Sequence, residues 1–284
     1  MSTRKVLIVG ATGGVGGSLL KQLLALPVPY RPAIRVSTRN PTKASFPSDV
    51  DVVQGDLLDP SSYTRLFRGV ERAFLYAKPS APLAQLCSTA KEEGVKHIVL
   101  LSSFTVQMYP DSPIGRFHKK MENAIVDSGI PYTFIRAGGF SSNILWQWLP
   151  TMAQTGKVYL TYPNAQMATV AEDDMAAVAV AGLTTDKLLN RAELVTGPDS
   201  ITQQERVATI NRLREREGKK PVEIVALSPK DAKVAGILDG FSDLVLRDYD
   251  RKAMTIYSSD RFSDKPSQSF GDWLEINKEA FLGF

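Results

Sequence analysis

Six short runs rich in β-branched and aromatic residues, KVLIVG, AIRVSTR, VDVVQGD, ERAFLYA, KHIVLLSS and PYTFIRA, punctuate the first half of the chain at near-regular intervals. Helical or turn-like segments separate them. GSLLKQLLAL and APLAQLCSTAKEEG space their leucines by three and four, SSYTRLFRG starts after Pro60 and stops at Gly69, and a longer helix is predicted from about Pro113 to Ser128, closed by Gly129 and Pro131. Strands alternating with helices cannot pair as hairpins. They predict a parallel sheet with helices on both faces, which is why the strands read as nearly unbroken apolar runs. After Ala137 the rhythm loosens. A final helix and strand can still be read from ELVTGPDSITQQERVATINRLREREGKKPVEIVALS, where Thr202 and Glu205 fit a capping box and Gly218 fits a helix stop.

Between the first strand and the first helix lies GATGGVGG, with Gly10, Gly13 and Gly16 spaced G-x-x-G-x-x-G and the helix starting near Gly14. Glycines there permit a tight turn, and backbone amides at a helix N-terminus attract a phosphate. A ligand-free glycine turn is the plain alternative. The strand–turn–helix context favours a dinucleotide site, and with it a Rossmann-type doubly wound fold. The second strand indicates which dinucleotide. Its tip, VSTRNPTKA, has no carboxylate for the ribose hydroxyls of NAD and instead offers Arg39, with Lys43 in reach of the same anion. A guanidinium holds a 2′-phosphate through paired hydrogen bonds, so NADP(H) is expected over NAD(H).

Charge supports an anionic ligand. The net charge is only +4, but Arg4, Lys5, Lys21, Arg31, Arg35, Arg39 and Lys43 all precede the first carboxylate, Asp49. These residues are scattered, and no zinc-finger or RNP-type pattern occurs, so nucleic acid is not the expected partner. One cysteine, Cys87, excludes an intrachain disulfide and points to a reducing, cytoplasmic setting. No signal peptide, membrane anchor or metal-ligand spacing is evident. The 284 residues suffice for one large domain or two small ones. The expected division is a nucleotide-binding part over residues 1–139 and a smaller α/β substrate-binding part over 140–284, interleaved with the sheet. A monomer and a homodimer both remain open.

Together IVGATGGVGG, STRNPTKA, VVQGDLLDP, AKEEGVKHIVLLSS and GIPYTFIRAGGF resemble the atypical short-chain dehydrogenase/reductases, in particular the NmrA-like group with its quinone-oxidoreductase-like and isoflavone-reductase-like members. The resemblance spans essentially the whole chain. It implies that Thr12, Gly14 and Val15 join the glycines at the pyrophosphate, that Asp56 and Leu57 flank adenine, and that Ala77, Lys78 and Pro79 line the cofactor after the fourth strand. Gly138 and Phe140, within the stretch from Ala137 to Phe140, would sit near the nicotinamide. Asp56 also reads as a turn residue.

Conventional relatives use a Y-x-x-x-K pair, and this chain has none in the expected helix. Ile114 or Gly115 occupies the tyrosine slot, His118 or Lys119 the lysine slot, and the catalytic hydroxyl falls near Phe104 or Thr105. Three candidates remain for the chemistry. His118, with an ordinary pKa near about 6.5, could give a proton or could merely pair with Glu122 one turn on. Lys119 could hold the nicotinamide ribose, and Tyr109 is the nearby phenol. His97 is expected to be structural.

No charge occurs from Ala137 to Gly156, and Phe140, Trp146, Trp148, Tyr159, Tyr162 and Met167 gather aromatic and soft surface beyond the sixth strand. With Phe104, Trp146, Trp148, Tyr162 and Met167 as lining, this suits a flat hydrophobic substrate. A core or dimer contact is the alternative. Trp146 and Trp148 cannot share one helix face, so at least one is expected outside the core. Three functions fit: an NADPH-dependent reductase of a quinone, enone or imine, a non-catalytic NADP(H) redox sensor, and a redox-neutral isomerase or cyclase.

Overall fold

The computed structural model describes residues 4–263 and 265–284. Its strands are β1 (Lys5–Val9), β2 (Ala33–Thr38), β3 (Asp51–Gln54), β4 (Arg72–Tyr76), β5 (His97–Ser103), β6 (Tyr132–Ala137), β7 (Lys157–Leu160), β8 (Gln166–Met167), β9 (Arg191–Val195), β10 (Ile201–Thr202) and β11 (Glu223–Ala226). Seven of them form one sheet in the order β3-β2-β1-β4-β5-β6-β9, parallel throughout. The order reverses at β1. The strand ends on either side of β1 are where a doubly wound sheet opens a crevice for a ligand.

Contacts divide the chain into two compact units. The first comprises the residues up to Ala137 together with Glu172–Val195 and Ser259–Lys265. Its core joins Leu7, Val9, Phe67, Leu75, Leu100, Ile125 and Phe134 beneath the covering helices. Helix Glu172–Thr184, followed by β9, completes the pattern read from the first half: ELVTG belongs to the edge of the main sheet, paired with β6. Helix Pro113–Ser128 begins where Ser112 accepts a hydrogen bond from the Gly115 amide and ends at Gly129, whose φ of +74° terminates it.

The second unit holds Gly138–Ala171, Thr196–Ser258 and Pro266–Phe284. Trp148, Val158, Leu160, Val207, Ile210, Trp273 and Phe281 form its core. It contains two small sheets, β7 parallel to β11 and β8 antiparallel to β10. The Thr202–Glu205 capping box opens helix Gln203–Arg216, and Gly218 at φ +71° follows its end.

Candidate active site

The glycine turn is built to be left open. Gly10 has φ +83°, a left-handed conformation that glycine adopts without strain, and the Gly13 amide donates back to its carbonyl at 2.9 Å. Gly16 packs the first helical turn onto the strand end so closely that a Cβ there would overlap the Gly10 carbonyl. Gly13, by contrast, is extended (φ −92°, ψ 173°), so its lack of a side chain serves open approach and not backbone strain. It is the N-cap of helix Gly14–Leu24, makes no side-chain cap, and no acid stands in the first turn. Thr12, Gly13 and Gly14 are exposed while Val15 and Gly16 are buried. The first amides of this helix are thus free to meet an anion, which is the arrangement a dinucleotide pyrophosphate needs.

Two neighbours of the turn are not apparent from the motif. A Cβ at Gly10 would lie 3.1 Å from the Tyr76 ring, and one at Gly14 would lie 2.9 Å from Glu172 Cγ. Tyr76 ends the adjacent strand β4, so strand order alone could have pointed to it. Glu172 arrives from a helix more than 150 residues away. Asp173 of that helix accepts from the Ser18 hydroxyl, and its carbonyl accepts from Gln22 at 2.9 Å.

The basic stretch before Asp49 looks different in space. Arg4 pairs with Glu71 (3.0 Å), Lys5 and Arg35 with Asp51 (3.3 and 2.8 Å), and Arg31 with Asp49 (3.5 Å). Arg35 also donates to the carbonyls of Arg65, Leu66 and Arg68. Arg39 and Lys43 are exposed and make no ion pair among the described residues. The Gln54 side chain fixes the Arg39 backbone through its carbonyl at 3.2 Å, leaving the guanidinium free beyond the end of β2. Asp56 sits in a turn, accepting from the Leu58 amide at 3.0 Å. Leu57 is buried in the core, so it offers a nucleotide its backbone only. Ala77 and Lys78 are half-buried after β4, Pro79 is exposed, and Ser80 takes φ +64°.

Helix Pro113–Ser128 gives the two candidate tyrosine positions, Gly115 and Ile114, different surroundings. A Cβ at Gly115 would overlap the Tyr109 carbonyl and lie 2.9 Å from that of Thr105. No larger residue fits there, whereas Ile114 points largely to solvent. Glu122 does not pair with His118 as the helical spacing suggests. It is 1% exposed, takes two hydrogen bonds from Arg136 (3.0 and 2.7 Å) and accepts a third from Ser102 at 2.7 Å. This buried ion pair pins the helix to β5 and β6.

His118 is left half-buried, with Nδ1 sealed from solvent and without a partner. Burial drives its pKa down to about 4, against a weaker opposite pull from the Glu122 charge. It is therefore a neutral imidazole at physiological pH, not the ready acid that its ordinary pKa implies. Lys119 is exposed. Tyr109 sets its ring edge-on to Phe104 at 5.9 Å, and Phe104 itself is buried. The Thr105 hydroxyl is spent on Ser103 at 2.8 Å. His97 is structural, as expected: it is buried between Arg72 (3.2 Å) and Thr133 (2.9 Å).

In the second unit, Gly138 is buried, and Phe140 bridges to Val170. A Cβ at Gly139 would touch the Met167 methyl at 3.4 Å, so Met167 lies against the chain just beyond β6. The two tryptophans part as their spacing requires. Trp146 is 67% exposed, while Trp148 is packed into the core beneath Arg206. Trp148 thus acts as core and not as open lining. Tyr162, at φ +52°, donates its hydroxyl to Asp243 at 2.8 Å, and Asp243 also takes 2.6 Å from Lys233. The hydrogen bond to that carboxylate raises the phenol's pKa.

A cleft of about 600 Å³ in the first unit lies elsewhere, at the C-terminal end of helix Gly14–Leu24, lined by Gln22, Leu26, Ala181, Thr185 and Phe262. Its lining includes none of the residues predicted from the sequence. The exposed helix N-terminus, not this cleft, has the chemistry of the site. Among the described residues no cluster could hold a metal ion, and no helix is long and apolar enough to cross a membrane.

Residues 10–186 match the model of a family described as NAD(P)H-binding. The chain is 33% identical to a (4-alkanoyl-5-oxo-2,5-dihydrofuran-3-yl)methyl phosphate reductase of Streptomyces griseus, over 97% of this chain and 99% of that one. It is 27% identical to an NAD(P)H azoreductase of Xenophilus azovorans, with the same coverage. The structure of an NADPH-dependent quinone oxidoreductase of Escherichia coli complexed with NADPH superposes with a TM-score of 0.77 at 23% identity, covering 96% of this chain and 99% of the other. With its open glycine turn and its free arginine beyond β2, the chain belongs to the NAD(P)H-binding family, in keeping with its resemblance to the atypical short-chain dehydrogenase/reductases.

Proposed function

We propose that the protein is an NADPH-dependent reductase of a flat, conjugated acceptor, a quinone, an enone or an imine. The observation that carries the reading is the N-terminus of helix Gly14–Leu24, without a side-chain cap and with no acid in its own first turn, together with the unpaired Arg39 and Lys43. The helix amides would receive the pyrophosphate and the two cations the 2′-phosphate. When bound, NADPH supplies the hydride.

The choice of acceptor rests on the missing acid. With Ile114 or Gly115 where the resemblance puts a tyrosine, the chain has no phenol at the usual place, and the neutral His118 is a poor acid at pH 7. A quinone or an enone, reduced to a phenolate or an enolate, can take its proton from water, and an imine can enter already protonated as the iminium ion. A simple ketone, which must become an alkoxide, cannot do so readily. The conjugated ring in the name of the Streptomyces relative's substrate belongs to the favoured class. Phe140 and Met167 are proposed to face this acceptor, and buried, unpaired Cys87 suits a reducing cytoplasm.

The test is direct. The purified protein is examined for copurified nucleotide, then NADPH oxidation is followed at 340 nm with quinones, enones, imines and simple ketones. Turnover of conjugated acceptors without ketones is expected. Tight NADPH binding with no turnover across the panel would replace this reading with the redox sensor.

A further inference from the structure

Among the described residues, Arg206 is the electrostatic exception. The other well-buried arginines have oxygen partners: Arg35 has Asp51 and three carbonyls, Arg72 has Asp186 and two carbonyls although its Nε is left unpartnered, Arg136 has Glu122, and Arg214 has the carbonyls of Lys220, Phe281 and Phe284. Arg206 is 5% exposed and has no carboxylate and no hydrogen bond among the described residues. Its Nε is sealed from solvent. One face of the guanidinium lies over the Trp148 ring at 5.2 Å, which stabilises the cation but leaves its in-plane N–H donors unused.

The surroundings offer nothing to neutralise it. Arg206 lies at the start of helix Gln203–Arg216, whose N-terminal end is itself positive. Glu205, the acid of the first turn, is committed to the Thr202 amide and hydroxyl (2.7 and 2.8 Å). The Gln203 side chain is spent on the carbonyls of Thr161 and Tyr162. Just before the helix, the Ser200 hydroxyl is also sealed and unpartnered. A buried guanidinium is strongly unfavourable without an anion, and its planar donors match an oxyanion held by two parallel bonds. Burial alone pulls its pKa down to about 10, so it still carries its charge.

We propose that Arg206 receives an oxyanion, phosphate or carboxylate, of a conjugated small molecule, so that the compound bound by the second unit is anionic and not a neutral quinone. The substrate identity rests on the reductase reading above; the anion site does not.

The experiment uses the full chain saturated with NADP+ and two probes, a butenolide bearing a hydroxymethyl phosphate and the same butenolide as the free alcohol. Calorimetry should show the phosphate bound about 10- to 100-fold more tightly than the alcohol. Arg206→Met should bring that ratio close to one and Arg206→Lys should leave it intermediate. Without ligand, Arg206→Met should melt higher than the unmodified protein, because an unpaired buried charge has been removed. Equal affinity of the two probes for the unmodified protein overturns the proposal, whether or not Arg206→Met folds. So does an unchanged ratio in folded Arg206→Met, or thermal stabilisation by inorganic phosphate equal to that by the phosphate probe, which would make this a site for a free anion. Phosphate-selective binding without NADPH oxidation by either probe keeps the anion site and removes the reductase reading. Equal turnover of both probes does the reverse.

Discussion

A free imidazole at pH 7 is about one-quarter protonated, whereas one held near pKa 4 is protonated about once in a thousand molecules. His118 belongs to the second case, because the half-buried ring sits with a sealed Nδ1 and Glu122 is committed to Arg136 and Ser102. The perturbation is pH, applied to the unmodified enzyme and to His118→Gln. With a quinone acceptor under saturating NADPH, kcat/KM between about pH 5.5 and 9 should show no limb belonging to this residue, since its titration lies below that window. His118→Gln should retain activity within about threefold, far from the 10²–10⁴-fold loss expected on removing a general acid. A proton NMR titration of the His118 ring should show its midpoint near pH 4. A halving of kcat/KM near pH 6.5 that disappears in His118→Gln would refute both the depressed pKa and the solvent-proton mechanism.

Arg39→Ala should erase most of a preference for NADPH over NADH. Loss of a bidentate phosphate contact costs about 1.5–3 kcal/mol, or about 10- to 150-fold in the ratio of dissociation constants; equal affinities in the unmodified protein would contradict the assignment. Gly13→Val should fold, since the nearest atom to its Cβ is 3.4 Å away, yet lose NADPH binding by fluorescence titration, whereas Gly16→Ala should lower the melting temperature through overlap with Gly10. Acid should destabilise the fold through His97. Arg72 can only donate, so Nδ1 must accept and Nε2–H must point to Thr133, a tautomer whose further protonation would set two cations together. Its pKa is about 4 when folded against 6.5 when unfolded, with burial the first cause and Arg72 the second. The unfolded chain thus binds more protons between these values, and stability present above pH 6.5 is lost as pH falls toward 4, by about 3 kcal/mol. Urea unfolding of His97→Gln should show that much less loss over the interval; an identical slope in both proteins would exclude His97 as the cause.

The six opening strands, the glycine turn and the limits of helix Pro113–Ser128 were legible because each is written in contiguous residues: apolar runs, helical leucine spacing, Ser112 and Gly129. Features created by pairing across the sheet were not. The seven early cations read as a basic region, yet Glu71, Asp49 and Asp51 return to four of them in space. The i, i+4 spacing offered Glu122 to His118, but Arg136 on β6 claims it. Glu172 beside Gly14, and Arg206 over Trp148, are contacts between segments distant in sequence. Local periodicity has no access to them.

The carbonyl beneath Gly115 has a consequence for redesign. A side chain added at position 115 would meet the backbone carbonyls of Tyr109 and Thr105, so a tyrosine cannot simply be substituted there. It could be introduced only after the 105–110 turn had been rebuilt, and that rebuilding would disturb the N-terminus of a sixteen-residue helix capped by Ser112. A laboratory search for ketone reduction should therefore randomise the turn before it touches position 115.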